Sequence, residues 1–206
     1  MRKKFILNLM YIFICTWLSC LLASPMKITP NGYKEETKIL IDSVATAPSI
    51  NVSDSIKNKL IKEAENYIFS RFPKANKKLP TYIVENGLEH DIDILFMMAQ
   101  TKIETSFGTA GAGRETSRRS LFGVANRRYT SYENAIEDYI AILKKSYLTK
   151  GRTEVHLMNK YTTTNGGRYA ANPNYESELK GAYSEINKKT NIKQLQMEYQ
   201  TRKKKI

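Results

Sequence analysis

Apolar residues fall into blocks along this chain, and the spacing within each block predicts a helix. The first block covers residues 5–22 behind Arg2, Lys3 and Lys4, with Asn8 as its only strongly polar interruption. From Ser53 the pattern becomes amphipathic. Ile56, Leu60, Ile61, Ala64, Tyr67 and Ile68 return at helical spacing, with Ser53 or Asp54 as N-cap and an end before Pro73. A short helix over TYIVENG should stop at Gly87. Asp91 or Asp93 then caps a longer one carrying Ile94, Leu95, Met98, Ala99 and Ile103, with Gly108 as its stop. Thr130 and Glu133 have capping-box spacing ahead of the stripe Tyr132, Ala135, Ile136, Tyr139, Ile140, Leu143 and Tyr147. A further segment at 154–160 reads as helical, and Tyr175, Leu179, Ala182, Tyr183 and Ile186 mark a last helix. No convincing strand pair or internal repeat emerges, so the expected fold is mostly α.

The first block, with its basic flank at the chain's start, reads as a secretory signal or an uncleaved anchor rather than a core helix. Cleavage after Ala23 fits, although the run is long for a signal and close to the roughly 20 residues that span a bilayer. Trp17, Leu18 and Ser19 make a poor lipoprotein box around Cys20. Residues 24–50 mix Pro, Gly, Thr and Ser and read as a spacer. The expected layout is signal or anchor 1–23, spacer 24–50, folded domain 51–190, and a basic tail 191–206 read as a frayed or disordered end.

Charge narrows the partners. Lys and Arg number 33 against 20 Asp and Glu, a net +13, which draws the surface toward nucleic acid, acidic lipid or the anionic envelope of bacteria. Zinc-finger spacing, an RRM aromatic signature and a phosphate loop are all missing, so nucleic acid is not an expected partner. Cys15 and Cys20 both lie in the first block, leaving the folded part without a thiol for a disulfide, a nucleophile or a metal site. His90 and His156 stand alone in sequence, so no metal and no cofactor are expected.

The chemistry gathers in three loops: ETSFGTAGAG, SLFGV and GGRYAANPNYESEL. Glu104 stands at a helix C-terminus, where the dipole disfavours an anion, ahead of Gly108, Gly111 and Gly113. It is either a solvated helix-terminal glutamate or an acid at the edge of a cleft, and the glycines either admit a flat sugar closely or merely connect.

AQTKIETSFG resembles the AQ…ESGWG signature of the lysozyme-like N-acetylglucosaminidases of glycoside hydrolase family 73, which cut bacterial peptidoglycan. SLFGV is similar to that family's NLFGI element, and RYAANPNY to its YATDPNY. The order is kept over roughly residues 78–186, with the helix at 130–148 where the family has its own. The resemblance implies a lysozyme-like helical domain acting on peptidoglycan glycan strands, and a monomer is expected. It makes Glu104 the general acid and places Tyr169 opposite it, to hold water or an N-acetyl group. Gln100, Ser106, Phe107, Phe122, Asn172 and Tyr175 become candidates for binding the glycan. Phe122 with Gly123 reads more readily as core and turn than as contact residues, and Tyr175 reads equally as the first core residue of the last helix.

A glycosidase must deliver a proton to the leaving oxygen, so one carboxyl has to stay protonated near neutral pH. Partial desolvation of Glu104 beside Phe107 would do this. The chain departs from the family where Ser120 replaces Asn and Asn172 replaces Asp. Only ANRRYTS separates SLFGV from the next helix, so the β-hairpin that often carries a second acid is shortened or absent. Glu115 is then the best-placed second carboxylate, with Glu133 occupied as a cap. Without one, the substrate's acetamido group or a sugar hydroxyl would complete the reaction.

The leading expectation is therefore an exported, membrane-tethered or secreted N-acetylglucosaminidase of the envelope. The alternatives are a lytic transglycosylase or muramidase of the same fold, or a noncatalytic wall-binding protein. A bacterium remodelling its own wall and a phage breaching its host's both fit.

Overall fold

A computed structural model of the chain describes residues 52–115, 118–124 and 127–204. The predicted signal or anchor at 1–23 and the spacer at 24–50 lie outside the described residues. The helices are α1 (Val52–Arg71), α2 (Leu79–His90), α3 (Ile94–Thr105), α4 (Gly111–Arg114), α5 (Tyr132–Ile142), α6 (Glu154–Asn159), α7 (Tyr175–Lys189) and α8 (Ile192–Lys203). Among the described residues the only β feature is an antiparallel bridge between Thr162 and Arg168. The fold is mostly helical, consistent with a lysozyme-like helical domain.

The segment ILFMMAQT has no polar face, and a helix apolar all round must be surrounded. Every residue of α3 from Ile94 to Thr101 is buried, with α2, α7 and α8 packed around it. Each fully buried Leu, Ile, Phe or Met here contributes about 1.5–3 kcal/mol. The Thr101 hydroxyl that this burial takes from water is satisfied inside the helix, donating to the Met97 carbonyl at 2.8 Å.

Several helix ends differ from expectation, each for a packing reason. Helix α1 already includes Ser53 and Asp54, so neither is the cap. Gly87 does not stop α2; it is where α3 approaches. A Cβ there would stand 2.7 Å from Ile94 Cγ1. The helix runs on to His90, and Asp91 ends it in a left-handed conformation. Asp93 caps α3 by accepting from the Phe96 amide at 3.2 Å, and α3 ends at Thr105, before Gly108. Helix α5 is capped one residue later than the Thr130/Glu133 spacing implies: Ser131 Oγ accepts from the Asn134 amide at 3.1 Å, leaving Glu133 free of that role. A single π-helical turn, Leu143–Tyr147, continues α5 and re-aims the side chains that follow.

The basic end of the chain, expected to be frayed or disordered, is ordered as α8. Gln196 explains why. Its Oε1 accepts from the Ile94 amide at 3.0 Å and its Nε2 donates to the Ile92 carbonyl at 2.8 Å, pairing backbone groups at the start of α3 that burial would leave unsatisfied. Helix α8 also lies along α1. At the opposite end of α3 stands Glu104.

Candidate active site

Glu104 occupies the last turn of α3, where the chain then takes three left-handed residues in succession: Ser106 (φ 48°), Phe107 (φ 55°) and Gly108 (φ 76°). Left-handed conformations at non-glycine residues cost about 1–3 kcal/mol each. Burial of the Phe107 ring offsets this. That ring is fully buried, 5.1 Å from Phe72 and 6.2 Å from Tyr67 between ring centroids. Phe107 therefore anchors the loop to α1, and it is not available to a sugar as expected.

Thr105 ties this turn to the next loop. Its hydroxyl donates to the Leu121 carbonyl at 3.0 Å and accepts from the Gly108 amide at 3.1 Å. Gly113 passes so close that a Cβ there would sit 2.7 Å from Thr105 Cβ. The SLFG segment is thereby pinned beneath Glu104. Gly123, with φ 65°, lies directly under the carboxyl, and a Cβ at that position would fall 2.2 Å from Glu104 Oε2. Only glycine permits both the conformation and the approach.

The other carboxyl oxygen meets Tyr175, whose hydroxyl donates to Glu104 Oε1 at 2.6 Å. Tyr175 opens α7 and is 6% exposed, so it is at once a core residue and a direct partner of the acid. Burial pushes the Glu104 carboxyl above its ordinary value, and the Tyr175 hydrogen bond opposes this without cancelling it. Desolvation of Glu104 was expected from Phe107, which faces the core instead. Burial likewise pushes the Tyr175 phenol up, with Tyr169 and Glu104 adding to the effect, so Tyr175 remains a neutral donor.

Behind this pair stands a group of tyrosines. Tyr169 stacks on Tyr161 at 4.3 Å and 9°, and Tyr175 lies 5.3 Å from Tyr169. Tyr147, delivered by the π-helical turn, meets both Tyr161 and Tyr169 edge-on. The hydroxyl of Tyr169 donates to the Phe122 carbonyl, next to Gly123, so it braces the floor under Glu104. Gln100 is fully buried and accepts from the hydroxyls of Tyr139 and Tyr161, the latter at 3.0 Å. Phe122 is 1% exposed and stacks on Tyr139 at 3.8 Å and 4°. Gln100 and Phe122 thus support the site from within the core, and neither presents a surface to a glycan.

The remaining expected residues are dispersed. Glu115 follows α4, is 52% exposed at its side chain and pairs with Arg118 at 3.4 Å; no contact joins it to Glu104. Ser106 is half-buried, its carbonyl accepting from the Thr109 hydroxyl at 2.7 Å. Asn172 is exposed and shapes the turn into α7, accepting from the Asn174 amide at 2.9 Å and donating to Glu178 at 3.1 Å. Among the described residues no second carboxylate touches Glu104, and residues 116–117 and 125–126 contain none.

Three residues of the site escaped sequence reading: Thr105, Tyr161, and Gly123 as the floor of the acid. The one visible signal was the recurrence of Tyr161, Tyr169 and Tyr175 within an otherwise polar stretch. The amide of Tyr161 donates to Glu176 at 3.0 Å, and Arg168 pairs with the same carboxylate at 3.0 Å, which fixes that stretch to the start of α7.

Among curated proteins, no match to the chain was found. A family model described as mannosyl-glycoprotein endo-beta-N-acetylglucosaminidase matches residues 80–188, more than half of the chain and a span that holds Glu104, Gly123, Tyr169 and Tyr175. The chain therefore belongs to the glucosaminidase family and is a glycosidase of the endo-β-N-acetylglucosaminidase type.

Proposed function

We propose that this glycosidase cleaves the β-1,4 bond that follows N-acetylglucosamine in peptidoglycan, with Glu104 as general acid. The observation that carries the assignment is the placement of Glu104: a carboxyl raised by burial, bonded at Oε1 by the Tyr175 hydroxyl and at Oε2 resting on bare Gly123. Protonated Glu104 delivers its proton to the leaving glycosidic oxygen as the C–O bond breaks. The carboxylate left behind keeps the Tyr175 hydrogen bond, a charge-assisted contact stronger than the neutral one it replaces.

No second carboxylate contacts Glu104 among the described residues, so the substrate's own acetamido oxygen attacks C1 as the bond breaks, giving a cyclic oxazolinium. Water then opens this ring at C1. Glu104 takes the water's proton and returns to its acid form. Tyr169 is a positioning residue here, holding the Phe122–Gly123 turn that seats the acid. The N-terminal apolar segment directs the chain to the envelope, where its excess of basic side chains keeps it on an anionic wall.

The single-acid arrangement also favours a second reading, a lytic transglycosylase, in which a sugar hydroxyl replaces water. Mass spectrometry of fragments released from purified peptidoglycan separates them. The proposal requires reducing N-acetylglucosamine ends. Anhydro ends establish the transglycosylase, and reducing N-acetylmuramic ends a muramidase. Wall binding without cleavage makes the chain a noncatalytic binder.

A further inference from the structure

The stretch that carries Tyr161 also walls an open pocket of about 560 Å³, whose lining includes Lys150, Arg152, His156 and Lys160 but not Glu104. That volume is within the range of small-ligand sites. No Asp or Glu lines it. Among the described residues none of Lys150, Arg152 and Lys160 is paired with a carboxylate. The nearest acid in sequence, Glu154, accepts from the Asp93 amide at 3.2 Å on another side of its helix.

The cations are held, not loose. Arg152 donates through Nη1 to the Thr162 carbonyl at 2.6 Å and through Nη2 to the Lys160 carbonyl at 3.2 Å. Lys150 has a left-handed backbone (φ 57°) and precedes Gly151 (φ 72°), a tight turn that brings it beside Arg152. The Thr153 amide donates to His156 Nδ1 at 3.2 Å, so the neutral imidazole carries its proton on Nε2. Three successive threonines, 162 to 164, belong to the lining. Their loop is closed by Thr163 N to the Gly167 carbonyl at 2.8 Å and Gly167 N to Thr163 Oγ1 at 3.0 Å.

We propose that this pocket binds a phosphodiester anion. Its chemistry favours phosphate over carboxylate. A carboxylate presents two coplanar oxygens that one arginine fork can satisfy, whereas here the Arg152 guanidinium, tied in place by one N–H of each terminal nitrogen, shares the lining with ammonium groups from other positions. The lining thus offers a fixed guanidinium charge and two ammonium point charges around a volume. Such a set suits a tetrahedral group whose oxygens accept from different directions. The source is either a polyol-phosphate polymer of the envelope or the headgroup of an anionic phospholipid, both of which present the same diester. The site goes beyond glycan cleavage and does not involve Glu104, so it stands or falls separately from the hydrolase assignment.

The test is titration of the full chain with glycerophosphoglycerol, a soluble phosphodiester, and in parallel with phosphatidylglycerol vesicles. Two double variants of equal charge are compared: Lys150→Gln with Lys160→Gln, and Lys59→Gln with Lys188→Gln, all four lysines being exposed. Saturable binding is expected, about tenfold weaker in the first double variant and unchanged in the second. Binding of the soluble diester but not of vesicles identifies a polymer ligand, and binding of vesicles a lipid headgroup. Equal loss in both double variants, or no saturable binding of either probe, overturns the proposal.

Discussion

The hydroxyl of Tyr175 and the carboxyl of Glu104, 71 positions apart in the chain, meet at 2.6 Å. This bond stabilises the ionised form of Glu104 and so works against the burial that raises its pKa. Tyr175→Phe removes the opposing contribution. Glu104 then holds its proton to higher pH, and the alkaline limb of the activity profile moves up. The rate below that limb falls, because the carboxylate produced on proton delivery loses a charge-assisted bond worth about 1.5–3 kcal/mol, roughly 10- to 100-fold in kcat. A pH–rate profile of the variant checks both; a limb that stays put or moves down contradicts the pairing.

Raising the pKa of an acid in the folded state makes folding pH-dependent in a definite direction. The folded carboxyl lies above the ordinary 4.5. The stability linked to its protonation is fully present below 4.5 and is lost as pH rises through the folded value. Glu104→Gln cannot ionise, and its amide oxygen can still accept from Tyr175. The variant should match the parent in melting temperature near pH 4 and exceed it increasingly toward pH 8. A variant less stable than the parent at pH 8 would show that the carboxylate is well accommodated.

Gly123 offers a steric test of the same seat. An alanine there must hold φ 65° and place its Cβ 2.2 Å from Glu104 Oε2, so the carboxyl has to move. Displacing a catalytic group by about 1 Å costs on the order of 100-fold in rate. The left-handed backbone adds about 1–2 kcal/mol of instability. Gly123→Ala is therefore expected to lose about 100-fold in kcat while remaining folded at 25 °C, by circular dichroism and steady-state kinetics. Near-parental kcat would mean that the carboxyl position is not critical.

Much of this architecture was legible in the residues. The apolar spacing of α1, α5 and α7 located those helices, because one face of each meets the core. The limits of α2 were not legible, because Gly87 has the same chemistry whether it ends a helix or admits Ile94 against it. Nor was the order of α8, which depends on Gln196 reaching backbone groups more than a hundred residues away in sequence. In the site, Glu104 stood out as a carboxylate between an apolar helix and a glycine loop. The roles of its neighbours did not. Gln100, Phe107 and Phe122 sit in the motifs that flank the acid, but side-chain direction sends them inward. Glu115 is near Glu104 in sequence alone, and the chain turns it to solvent and Arg118.

The central claim is that Glu104 supplies the proton that breaks a glycosidic bond. It is tested most directly by measuring release of new reducing sugar ends from purified peptidoglycan by the parent chain and by Glu104→Gln, with folding of both verified by circular dichroism. Steady release by the parent and none by the folded variant is the expected result. Release by the variant at the parental rate would remove Glu104 from the reaction.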